Sequence, residues 1–200
     1  MRVGRLRLFS ALIPAIVVGA CARDPYVSSA TTVPSGNWKI ERQTDRVTGS
    51  PIDSAFVTTR VSSNSAQLFS QPASLQLGCF LGKPIVKFSF AFKVGTDVNS
   101  FLGYRFDEKP GHEIGARFVQ SSSTVVIEEP PEVAQFVKEL ETSKVLYIRI
   151  RSLNAGRTAA EFKVDGAPAA IEAALAHCPA TPATSAPRTA AMLPLRRGAH

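Results

Sequence analysis

Val86-Lys87-Phe88-Ser89-Phe90-Ala91-Phe92-Lys93-Val94 is the stretch that decides the fold class. Val86, Phe88, Phe90, Phe92 and Val94 share one parity; Lys87, Ser89, Ala91 and Lys93 share the other. Side chains of an extended chain point to alternate faces, so this pattern describes a strand with one face in a core and one in water. The rhythm recurs where Leu146, Ile148 and Ile150 alternate with Tyr147, Arg149 and Arg151, and where Phe162 and Val164 alternate with Glu161 and Lys163. Further strand candidates are 38–42, 55–61, 75–80, 101–107, 113–119 and 123–127. Turn formers separate them: Gly49-Ser50-Pro51, Gly82-Lys83-Pro84, Gly95-Thr96-Asp97, Lys109-Pro110-Gly111 and Asn154-Ala155-Gly156. About nine short strands with turns every 8–12 residues or so predict a mostly β domain, an antiparallel β-sandwich or open barrel.

Two segments leave that rhythm. Val133, Phe136, Val137 and Leu140 fall on one helical face, with Pro131 suited to the first turn and Glu132 to the positive end of the dipole. This predicts a helix near 131–142. Ile171, Ala174, Leu175 and Cys178 form a second stripe, with Asp165 as a plausible cap, and predict a C-terminal helix near 167–178.

The flanks read differently. Arg2, Arg5 and Arg7 precede the uncharged run 8–18, which ends in Val17-Val18-Gly19-Ala20-Cys21. A basic start, a short apolar core and small residues at the cut describe a signal peptide over 1–20. The apolar run is shorter than the roughly 20 residues a membrane span needs. Cys21 after Val-Gly-Ala looks like a bacterial lipobox, whose thiol is acylated; cleavage after Ala22 also fits the small-x-small rule. With acylation, two or three chains at about 0.8 kcal/mol per buried methylene give stable anchoring. The Ser-, Thr- and Pro-rich residues 21–37 then form a lipidated N-terminus and flexible tether, 38–178 the β domain, and 179–200 a disordered Pro/Ala/Thr-rich tail. Ala22 after Cys21, in place of an acidic residue, weakly favours the outer membrane. The expected location is the bacterial cell envelope, facing the periplasm and anchored through lipid.

The formal charge is +7, but the arginines of the signal and tail account for most of it. Residues 38–178 carry 16 Lys or Arg against 15 Asp or Glu, so the domain shows no footprint for nucleic acid. Once Cys21 is acylated, Cys79 and Cys178 remain, and an oxidising compartment allows one bond between them. The sheet-facing stripe of the last helix carries Cys178 towards the strand that carries Cys79. Two separate buried thiols are the alternative.

Catalytic patterns are thin. Gly78-Cys79-Phe80-Leu81-Gly82-Lys83 is one residue short of a phosphate-binding loop and continues into Pro84. His112, His177 and His200 have no metal-ligand spacing, and no Gly-x-Ser-x-Gly elbow exists. We expect no catalytic residues, metal or cofactor. Tyr104-Arg105-Phe106-Asp107 is the most charged strand end; Tyr104, Arg105 and Asp107 form a candidate recognition patch with Arg105 as a fork-shaped donor, or else Arg105 and Asp107 are an exposed same-face ion pair. Phe88, Phe90 and Phe92 would line a ligand cleft only if one sheet face were open. Trp38 reads as a plug in the sheet.

Taken in order, these landmarks resemble the periplasmic TagO/VasI-like family associated with type VI secretion systems. The matching pieces are Trp38-Lys39-Ile40, Ser50-Pro51-Ile52-Asp53, Leu75-Gln76-Leu77-Gly78-Cys79, the aromatic strand 87–94, Tyr104-Arg105-Phe106-Asp107, the helix 136–140, the strand 144–151, and Phe162-Lys163-Val164-Asp165-Gly166 leading to Cys178. The resemblance covers most of 38–178 and implies an all-β domain with a cysteine pair and no established catalytic residues. It implies an accessory module of the envelope with a link to type VI secretion. The lipobox, in which this chain departs from soluble members of the family, adds attachment to the membrane by lipid, and with it we expect a non-catalytic interaction module with a protein partner in the envelope. The alternative is an envelope glycan or small-ligand binding domain.

Overall fold

The computed structural model describes residues 27–65 and 69–178. The predicted signal peptide, Cys21 and the tail 179–200 lie outside the described residues. Eleven strands and two helices follow in the order β1 (Val27–Ser35), β2 (Trp38–Asp45), β3 (Pro51–Asn64), β4 (Pro72–Phe80), β5 (Lys83–Phe90), β6 (Ser100–Phe106), β7 (His112–Ile114), β8 (Arg117–Val119), β9 (Thr124–Ile127), α1 (Pro130–Leu140), β10 (Val145–Ser152), β11 (Gly156–Lys163) and α2 (Ala167–Leu175). Nine of the strands form one curled, antiparallel half-barrel in the order β7-β6-β10-β11-β3-β4-β5-β9-β8, and the β1–β2 hairpin joins it at β3. Of the two expected architectures the open, curled form is the one realised.

β3 is the seam of the sheet. It pairs with β4 through Ser54–Arg60, with β2 through Pro51–Phe56, and with β11 through Val61, Ser63 and Asn64. Trp38, at the start of β2, is fully buried and donates its indole N–H to the Val164 carbonyl just past β11, 3.1 Å away. It closes the join between β2 and β11, as a plug should.

The inner face is filled by aromatic rings. Phe136 of α1 lies 5.1 Å from Tyr104, 5.0 Å from Phe106 and 6.0 Å from Phe88, in the edge-on geometry that ring quadrupoles favour. Val133 and Leu140 are buried beside it, and Val137 packs at the margin. Phe88 and Phe90 are buried in the same core and Phe92 packs partly buried against it, so this row lines no open cleft.

α2 covers β2, β3 and β4. Its buried stripe is Ala167, Ala170 and Ala174. Of the expected stripe Ile171, Ala174, Leu175 and Cys178, Ala174 is buried, Ile171 is partly buried and Cys178 reaches Cys79, while Ala167 and Ala170 were not in it. Gly166 in the left-handed region precedes it, where Asp165 was the expected cap. Asp165 accepts instead from the Asn37 side-chain amide at 3.1 Å. The reason is close packing between two turns: a Cβ on Gly36 would stand 2.8 Å from the Asp165 carbonyl oxygen.

Three local differences from the sequence reading have physical causes. Residues 27–35, assigned to the tether, form β1, because Gly36 with positive φ opens a two-residue hairpin turn that pairs Ser35 with Trp38. The single strand expected at 113–119 is split into β7 and β8 around Gly115 and Ala116. The helices end at Leu140 and Leu175, a turn or less before the expected limits.

Candidate functional site

Strand alternation gives the half-barrel an inner and an outer face. On β6, Leu102, Tyr104 and Phe106 point inward, leaving Phe101, Gly103 and Arg105 outside. On β10, Leu146, Ile148 and Ile150 point inward and Tyr147, Arg149 and Arg151 outward; on β11 Arg157, Ala159 and Glu161 are outward. Register then sets the outward side chains in rungs. Arg105 lies opposite Tyr147, its guanidinium 5.2 Å from the ring centroid. Arg149 lies between Gly103 and Ala159, and Arg151 between Phe101 and Arg157.

Gly103 shapes this face. Glu113 on β7 is its partner on the other side, and with no side chain at Gly103 the Glu113 carboxylate reaches over it to accept from Arg149 at 3.4 Å and from Arg151. The result is a trough of about 440 Å³ lined by Gly103, Arg105, Glu113, Tyr147 and Arg149. A second depression of about 790 Å³ adjoins it, lined by Phe101, Arg151, Leu153, Arg157, Asn64 and Asn99. Arg149 and Arg151 keep 52% and 48% of their side-chain surface in water. Ion pairs so exposed are each worth under about 1 kcal/mol, so Glu113 does not lock the guanidiniums away.

Of the predicted patch, only Arg105 belongs to this surface. Tyr104 is 2% exposed, stacks on His112 at 4.8 Å, and has its hydroxyl pushed up to about 12 by burial, then by Glu139 and Glu132. Its hydroxyl has no hydrogen-bond partner among the described residues. Asp107, at φ 45°, accepts the backbone N–H groups of Lys144 at 3.2 Å and Val145 at 2.9 Å, and so fixes the start of β10. Among the described residues Arg105 and Asp107 form no ion pair. Arg149, Arg151, Arg157 and Glu113 were absent from the predicted patch. Their outward parity was legible, but the strand order that gathers them was not.

The histidines tie elements together. His112 stacks on Tyr104 and meets Glu139 of α1 at 2.8 Å, at the β7 margin of the trough. His177 meets Asp53 at 2.8 Å, joining the end of α2 to β3. Among the described residues no group of three or more His, Cys, Asp or Glu gathers to hold a metal, and no helix is long and apolar enough to cross a membrane.

Cys79 continues the inward row Ala73, Leu75, Leu77 of β4 and is bonded to Cys178, with Cα atoms 5.5 Å apart. The predicted pairing is therefore present, and it points to an oxidising, extracytoplasmic location. Across the sheet, the outer face of β2–β5 carries short-range polar contacts of its own. Gln76 donates to Ser54 at 3.1 Å, and half-buried Lys87 is held below the usual lysine range by desolvation, against the opposing pull of Glu41. No family model, no curated protein and no solved structure matches this chain.

Proposed function

We propose that this protein is a non-catalytic interaction module of the bacterial envelope, tethered to the membrane through an acylated Cys21 and directed at another envelope component. The observation that carries the reading is the contrast between a fully packed inner side and an outer face that sets Arg105, Arg149, Arg151 and Arg157 in water. Such a surface offers fork-shaped donors for recognition. The disulfide fits the compartment, and the resemblance to TagO/VasI-like proteins adds an accessory role in type VI secretion. Two measurements test it. Radiolabelled palmitate should enter the full chain and be absent from Cys21→Ser. Affinity capture with cross-linking in intact cells should recover a stoichiometric envelope partner; recovery of nothing above background would overturn the module.

The second reading, an envelope glycan or small-ligand binder, is favoured by the larger depression, where Asn64 and Asn99 accompany Phe101 and two arginines. Co-sedimentation with isolated peptidoglycan, lost on Phe101→Ala, supports that reading; no co-sedimentation removes it.

A further inference from the structure

We infer that the outer face of β6, β10 and β11 binds an extended acidic peptide of a partner protein, laid along the strands over Gly103. The inference rests on the interaction-module reading and names the chemistry of its partner.

Charge excludes the nearer occupants. The central rungs hold four arginines, Arg105, Arg149, Arg151 and Arg157, against two carboxylates, Glu113 and Glu161, and so keep an excess of positive charge. The terminal segments outside the described residues carry Arg2, Arg5, Arg7, Arg23, Arg188, Arg196 and Arg197 against Asp24 alone, so neither terminus complements the face. Two copies meeting across a twofold axis would set arginine against arginine. The partner must bring negative charge of its own.

Spacing selects an extended chain over a compact anion. Arg149 and Arg151 are two residues apart on one strand, about 7 Å, and Arg105 lies one rung further in the opposite direction. Three rungs span about 14 Å, too far to converge on one phosphate or carboxylate. An extended peptide presents every second side chain at that same repeat of about 7 Å. Acidic residues at alternate positions would therefore meet successive rungs. Glu113 shows that these guanidiniums bind a carboxylate at the edge of the face, its Oε2 accepting hydrogen bonds from both Arg149 and Arg151. Gly103 leaves room for the chain, and exposed Phe101 and Tyr147 offer apolar contact between the charges. A single-stranded nucleic acid has comparable phosphate spacing, but the disulfide points to a compartment where a protein partner is the better match.

The test uses the oxidised full chain and fluorescence anisotropy of a labelled Glu-Ser alternating dodecapeptide. We expect saturable binding at low salt that weakens as salt rises. Arg149→Glu with Arg151→Glu should weaken it at least tenfold. Gly103→Leu should weaken it comparably without altering charge: a Cβ there meets the Arg149 and His112 carbonyl oxygens at 3.6 Å, an ordinary contact, and the rest of the side chain fills the space beside the Arg149 guanidinium that the peptide would cross. Lys39→Glu on the outer face of β2 should leave it unchanged. Unfolding midpoints confirm that each variant folds, and either trough variant alone keeps the test decisive. Equal binding of a Lys-Ser peptide, tighter binding of a single-stranded oligonucleotide or of anionic vesicles, or indifference to both trough variants would each overturn the inference. Failure of the peptide alongside a recovered envelope partner removes this inference and leaves the module standing; failure of both removes both.

Discussion

α1 and α2 close the same curled sheet by opposite means. α1 inserts one large ring, Phe136, among Phe88, Tyr104 and Phe106, and is pinned at its far end by Lys109, whose ammonium donates to the Glu139 carbonyl at 3.1 Å and to the Thr142 and Ser143 hydroxyls at 2.8 Å. A cation among the last carbonyls of a helix also opposes its dipole. α2 fully buries only alanines, with Ile171 partly buried at the margin, so it comes close but buries little, and a covalent bond supplies what packing does not. An aromatic lock acts in the folded state, through contacts. A disulfide acts mainly on the unfolded state, by shortening the chain's free loop.

The two closures should fail differently. Phe136→Ala carries the largest expected effect, about 3–5 kcal/mol by loss of burial plus the cavity left behind. Denaturant titration should show the lowered midpoint, and hydrogen exchange should rise in β5, β6 and α1 together. Cys79→Ser with Cys178→Ser opens a loop of 99 residues and should cost about 2–5 kcal/mol. Reductant should lower the thermal midpoint of the native protein to that of the double variant and leave the variant itself unmoved. If exchange after reduction rises equally around α1, the two closures are one cooperative unit and the contrast drawn here falls.

Smaller changes sharpen the α1 side. Asp107→Ala leaves the Lys144 and Val145 backbone N–H groups without their carboxylate acceptor and places alanine at φ 45°, and should cost about 1–3 kcal/mol, read as a lower thermal midpoint. Tyr104→Phe should be the mildest, neutral or slightly stabilising, since its buried hydroxyl has no partner among the described residues. It also carries a pH signature. The folded protein holds the Tyr104 proton up to about 12, above the ordinary value of 10.0, so it binds more protons than the unfolded chain in between. This contribution is intact below pH 10 and is lost as pH rises towards 12. Phenylalanine should flatten that alkaline decline; an unchanged slope would assign it elsewhere.

Much of this molecule was legible as parity. Alternation in 86–90 and 146–151 named the strands and their inner faces, although β5 stops at Phe90 while the pattern ran on to Val94, and two remaining cysteines in an exported chain made the Cys79–Cys178 bond readable. What parity does not carry is adjacency. Arg149 and Glu113 are 36 positions apart, and only the order β7-β6-β10 places both beside Gly103. Composition misled at residues 27–35, where Ser and Thr suggested a solvated tether. Thr31, Thr32 and Val33 are β-branched, and a hairpin turn at Gly36 supplies the pairing that such residues favour. The helical stripe of α2 was read in part: Ala174, Ile171 and Cys178 face the sheet, but Ala167 and Ala170 were missed, because close approach to a sheet selects small residues that carry little hydrophobic signal.

Trp38 gives this architecture a native optical gauge. It is the sole tryptophan, fully enclosed where the hairpin strand meets the end of β11, with its indole nitrogen committed to Val164. Its emission should therefore shift to longer wavelength when that junction parts, letting one fluorophore time the opening of the seam without any label.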